Sequence, residues 1–147
     1  MMELDSVESN SASNLANAKR LVWVFFIYAI ALPFVSFILP ESEYPLTEGI
    51  VIFSWVVILL MPMDLLLVYV IYWVFGKRER SFNVIGPAVL MFVVATNPSV
   101  YAVVSGMVNS TFRYFTAPLG LIFSFVGLLL SLRFVSALGE MVVNPNQ

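Results

Sequence analysis

Four apolar stretches, 21–39, 50–75, 84–107 and 115–138, take up most of the chain, and Asp64 is the single acidic residue inside any of them. Each stretch meets or exceeds the roughly 17–25 residues that a helix needs to cross a bilayer. The pattern predicts an all-α polytopic membrane protein with four transmembrane helices. Short connections between the stretches predict an antiparallel bundle in which sequential helices are neighbours.

Small residues inside the stretches say how the helices pack. Lipid gives no hydrophobic drive for helix association, so close backbone approach supplies much of the contact energy. In the third stretch Ala88, Ala95, Ser99, Ala102 and Gly106 recur at steps of seven, four, three and four, and in the fourth Ala117, Gly120, Ser124, Gly127 and Ser131 recur at steps of three and four. At 3.6 residues per turn each set forms one stripe, which predicts a tight hairpin of these two helices. The second stretch has almost no small residues between Val56 and Phe75 and is expected to offer much of its surface to lipid or a partner.

Prolines and polar side chains converge on one depth. Pro33, Pro62 and Pro98 each remove a backbone donor and free a carbonyl one turn earlier. Asp64 is 11 residues from Phe75 and Asn97 is 13 from Val84, which puts them within a few ångström in depth. A carboxylate near the bilayer centre costs at least about 2.5–3.5 kcal/mol on insertion scales, so Asp64 is expected to face the bundle, water or a partner. Thr96, Asn97 and Ser99 are its expected polar neighbours, which makes Asp64, Asn97, Thr96 and Ser99 a candidate intramembrane cluster.

The ends of the stretches set the expected topology. Lys19 and Arg20 precede the first stretch, Lys77, Arg78 and Arg80 follow the second, and Arg133 lies near the inner end of the fourth. The first connection carries only Glu41, Glu43 and Glu48, so both termini are expected on the cytoplasmic side, with these basic residues fixing topology and meeting lipid headgroups. Residues 1–18, rich in Ser and Asn with Glu3, Asp5 and Glu8, read as a disordered cytoplasmic head. Residues 19–139 read as the transmembrane domain and 140–147 as a short cytoplasmic tail. Asn109-Ser110-Thr111 fits the glycosylation pattern but sits too close to the membrane to be a good acceptor.

Composition agrees and narrows the chemistry. The chain is 61% hydrophobic and 11% charged, with a mean hydropathy of +0.95. With no Cys and no His it has no thiolate or imidazole metal site, no cysteine nucleophile and no Ser-His-Asp triad. A single intramembrane carboxyl does not make an aspartyl dyad. No enzyme activity, cofactor or metal is therefore expected, and no basic surface is present for nucleic acid.

The segment Tyr69-Val70-Ile71-Tyr72-Trp73-Val74-Phe75-Gly76-Lys77-Arg78-Glu79-Arg80-Ser81-Phe82, with the four-span layout, resembles a bacterial family of four-helix inner-membrane proteins of unknown function. That resemblance implies the bacterial cytoplasmic membrane and assigns no activity. The residues themselves point to a non-enzymatic integral membrane protein that acts by association, as an accessory or immunity-type subunit or as a homo-oligomer, with lipid and a membrane protein as partners. The alternative is a small ion or proton transporter or channel using Asp64 at the midplane.

Overall fold

The computed structural model describes residues 2–40, 47–77 and 84–143, with side chains over 13–40, 47–77 and 84–140. Glu41, Glu43, Arg78, Arg80 and residues 144–147 lie outside the described residues. The chain order is α1 (Met2–Ile38), α2 (Glu48–Gly76), α3 (Ile85–Val108) and α4 (Ser110–Val143). All four helices are long and apolar enough to cross a membrane.

Two helices overrun the expected boundaries. Residues 2–18, expected as a disordered head, continue α1 as helix. The segment contains no Gly or Pro to stop a helix already nucleated by the span. Tertiary contact holds its last turn, where Ala18 is fully buried and Leu15 packs on the core against Gly139 of α4. Gly139 is the last residue of the expected transmembrane domain, and α4 runs on past it to Val143, into the expected tail.

The most extensive interface lies between α3 and α4. Met91 faces Ser131, Ala95 faces Gly127, Ala102 faces Gly120 and Gly106 faces Arg113, so residue numbers rise along one helix as they fall along the other. Helices α1 and α2 each contact both members of this pair, and among the described residues they do not contact each other. The expectation that all sequential helices are neighbours is therefore corrected at α1 and α2. Small residues let α3 and α4 approach closely enough to fill the middle of the bundle, and the bulkier α1 and α2 are left on opposite flanks.

On α2 the buried residues form one narrow seam, Ser54, Val57, Met61, Asp64, Val68 and Ile71, at steps of three and four. Its other faces are open: Leu59, Met63, Leu66 and Trp73 are all at least half exposed. The main core, which includes Phe92, Met91, Leu128 and Val135, gathers toward the α1 N-terminal half of the bundle, and a smaller cluster of Val57, Met61 and Ala102 lies beyond it. Phe25 packs on Phe92 with ring centroids 5.6 Å apart.

At the far end Arg113, 5% exposed, ties three helices together. Its Nη2 donates to Pro40 O, just past α1, and to Gly106 O in the last turn of α3, both at 3.3 Å. Carbonyls at helix C-termini lack intrahelical partners and carry the negative end of the dipole, so a cation is favourable there. Arg113→Gln is expected to lower stability by about 1–3 kcal/mol in detergent unfolding, because buried carbonyls lose their donor. An unchanged unfolding midpoint would show the arginine to be dispensable. Beside it, Asn109 is buried and its Oδ1 accepts from Thr111 N at 2.9 Å, so the glycosylation-like Asn is used as the cap of α4.

Candidate functional site

The site begins with proline. Every helix contains one beyond its first turn, at Pro33, Pro62, Pro98 and Pro118. A proline has no N–H for the carbonyl four residues back, so Pro33 frees Ala29 O, and Ser99 Oγ donates to that carbonyl at 2.9 Å. Ser99 N in turn donates to Ser124 Oγ at 3.0 Å, and the two hydroxyl oxygens lie 2.8 Å apart. A serine has one hydroxyl proton. With that of Ser99 on Ala29 O, the 2.8 Å bond is donated by Ser124, and a continuous relay joins α4 to α3 to α1.

Asp64 lies elsewhere at the same general depth. It is on the α2 seam two residues after Pro62, is 7% exposed, and faces Asn97 and Tyr101 of α3 as its hydrogen-bonding neighbours. Its Oδ2 is buried without a hydrogen-bond partner. Asp64 also lines an open depression of about 380 Å³ with Leu60, Met63, Leu66, Leu67 and Val70, all on α2.

The expected cluster of Asp64, Asn97, Thr96 and Ser99 therefore separates. Asn97 joins Asp64. Thr96 Oγ1 bonds back to its own helix, at Val93 O (2.8 Å) and Phe92 O (3.2 Å), and Ser99 serves the relay with α1 and α4. The reason is angular: successive residues advance 100° around a helix, so Ser99 points about 200° away from Asn97, whereas Tyr101, four residues on, returns to the same face. Tyr101 is the member that depth alone does not reveal, and its spacing from Asn97 is the signal that finds it.

The stripe residues meet one another. Ala95, Ser99, Ala102 and Gly106 of α3 face Gly127, Ser124, Gly120 and Arg113 of α4, and Ser131 Oγ bonds to Gly127 O at 2.8 Å and approaches Met91 O at 3.4 Å. A Cβ on Gly106 would stand 3.0 Å from Ser36 Cβ, so α1 reaches the same seam. Of the basic residues, Lys19, Arg20, Lys77 and Arg133 are exposed, and Lys77 Nζ sits 3.6 Å from the Trp73 ring centroid. Arg133 does not reach Asp64. It is next to Phe134, whose ring stacks on Tyr72, two turns of α2 away from the carboxyl.

Chemically the arrangement is a carboxyl, a carboxamide and a phenol at the edge of an apolar hollow. It can hold a proton or accept a donor, and among the described residues no group of three His, Cys, Asp or Glu side chains comes together to hold a metal ion. The fold is an all-helical bundle whose four helices are long and apolar enough to cross a membrane. No family model matches the chain, and comparisons with curated proteins and solved structures return no match either.

Proposed function

We propose that the chain is a non-enzymatic integral membrane protein of a bacterial cytoplasmic membrane that acts by association, as an accessory or immunity-type subunit or with copies of itself. Its four helices alternate in direction and both termini face the cytoplasm, in accord with Lys19, Arg20 and Lys77 at one set of ends and Glu48 at the other. The observation that carries this reading is the α2 surface: one narrow seam holds the helix, while Asp64, with an unpartnered oxygen, opens onto a hollow at the periphery rather than into an enclosed path. A polar group at a lipid-facing edge is costly unless another helix covers it. Purification from native membranes is expected to bring down a stoichiometric membrane protein, or to show a defined oligomer, and Asp64→Asn is expected to reduce the recovered complex by about fivefold or more, as for an interhelical polar contact. A monomer that recovers nothing in mild detergent would count against association.

A second reading is favoured by one observation, the mid-depth grouping of Asp64, Asn97 and Tyr101. It makes the chain a small proton or cation pathway completed by oligomerisation. Flux through wild-type but not Asp64→Asn protein in liposomes supports it, and no flux in either eliminates it.

A further inference from the structure

The neighbours of Asp64 have the spacing of a socket. Leu60, Met63, Asp64 and Leu67 stand at i, i+3, i+4 and i+7, the four positions that receive one side chain of a facing helix in knobs-into-holes packing. All three apolar members are at least 40% exposed, and the short aspartate among them leaves the depression open. At its edge is the one polar side chain of the lining, 7% exposed, and Oδ2 of that side chain is buried and without a partner. The groups that face the carboxyl from α3, Asn97 and Tyr101, bring hydrogen-bonding capacity and no positive charge.

Among the described residues no cation lies at this depth. Along α2 the nearest is Lys77, 13 residues on, or about 20 Å of helix axis. On α4, Gly127 lies beside Leu65, so Arg113 is 14 residues to one side and Arg133, exposed, is six to the other. A second copy would bring the same cation-free layer to the same depth. We propose that the hollow receives a Lys or Arg from mid-depth on a transmembrane helix of a different protein. The long aliphatic stem packs between Leu60, Met63 and Leu67 while the cationic end reaches the Asp64 carboxyl, as such side chains do when a charged head has a polar target. This rests on α2 being an association face and narrows its occupant to a partner helix with a buried basic residue.

The probe is a labelled poly-leucine transmembrane peptide of about 23 residues with one central Lys, compared with its all-Leu and central-Glu counterparts. Energy transfer to labelled full-length protein is measured in phosphatidylethanolamine/phosphatidylglycerol vesicles. The Lys peptide is expected to bind about tenfold tighter than the Leu peptide, the order of an interhelical polar contact. That preference is expected to vanish in Asp64→Asn, which removes the charge, and in Met63→Trp, which fills the socket and keeps the carboxyl. Equal binding of the Lys and Leu peptides overturns the inference, as does a Lys preference that survives in Asp64→Asn. Matching unfolding midpoints for wild type and Asp64→Asn exclude misfolding as the cause. A native partner that co-purifies equally with both proteins and has no mid-depth basic residue leaves association standing and sinks the basic socket alone.

Discussion

Gly120→Ala is expected to lower stability by about 3 kcal/mol, the upper part of the range for overpacking a filled interior. A Cβ at this position would stand 2.6 Å from Pro98 O and 2.7 Å from Ala102 Cβ. Neither obstacle is the end of a flexible side chain, since one is backbone and the other is fixed to it. To admit a methyl, α3 and α4 must separate, and separation stretches the 2.8 Å contact between Ser99 and Ser124. Gly127→Ala is expected to cost less, about 1–2 kcal/mol. There the added atom meets Ala95 at 3.1–3.2 Å and Leu65 Cδ2 at 3.2 Å, and the leucine can turn away. Gly86 is the control. It is exposed with nothing within 4 Å, so alanine there is expected to fall within about 0.5 kcal/mol of wild type. Reversible unfolding in mixed micelles, followed by tryptophan fluorescence, orders the three variants. A Gly120→Ala midpoint equal to that of Gly86→Ala would show that α3 and α4 do not depend on close approach.

This seam is also where the sequence was most legible. In a membrane the only way for two backbones to come close is to remove side-chain bulk, so glycines and serines at steps of three and four mark the contact directly. The number and approximate position of the helices were legible for a similar reason, because hydrocarbon thickness fixes the length of an apolar run. Legibility failed where tertiary contact decides. Residues 2–18 have the composition of a solvated tail, yet Leu15 finds Gly139 and the helix runs through. The flanking places of α1 and α2 were hidden too, because hydropathy records depth and not which helix lies beside which. At the candidate site, depth placed Asp64 near Asn97 and also gathered in Thr96 and Ser99. Facing removes both and adds Tyr101. A helical projection centred on Asn97 would have made that choice from the sequence, whereas the unpartnered Oδ2 and the hollow beside Asp64 emerge only from the packing in three dimensions.

Ser99→Ala is expected to cost about 2 kcal/mol, because one hydroxyl serves three helices and its loss leaves buried groups unpaired. The cost is tied to a particular carbonyl. Pro33 withholds the N–H that Ala29 O would otherwise receive, and Ser99 Oγ supplies the replacement at 2.9 Å. Restoring the backbone donor with Pro33→Ala should let Ala29 O bond within α1, and Ser99→Ala should then cost about 1 kcal/mol less than it does beside proline. A second cycle, Ser99→Ala with Ser124→Ala, isolates the hydroxyl pair and is expected to show a coupling near 0.6 and no more than about 1.7 kcal/mol, the span seen for interhelical hydrogen bonds in a membrane. The two cycles separate the functions of one side chain. Coupling to Pro33 without coupling to Ser124 would make Ser99 a patch for a broken helix, and the reverse would make it a clasp between α3 and α4. With 2.9 Å to one partner and 2.8 Å to the other, both couplings are expected. An identical cost of Ser99→Ala with proline and with alanine at position 33 would disprove the relay to α1.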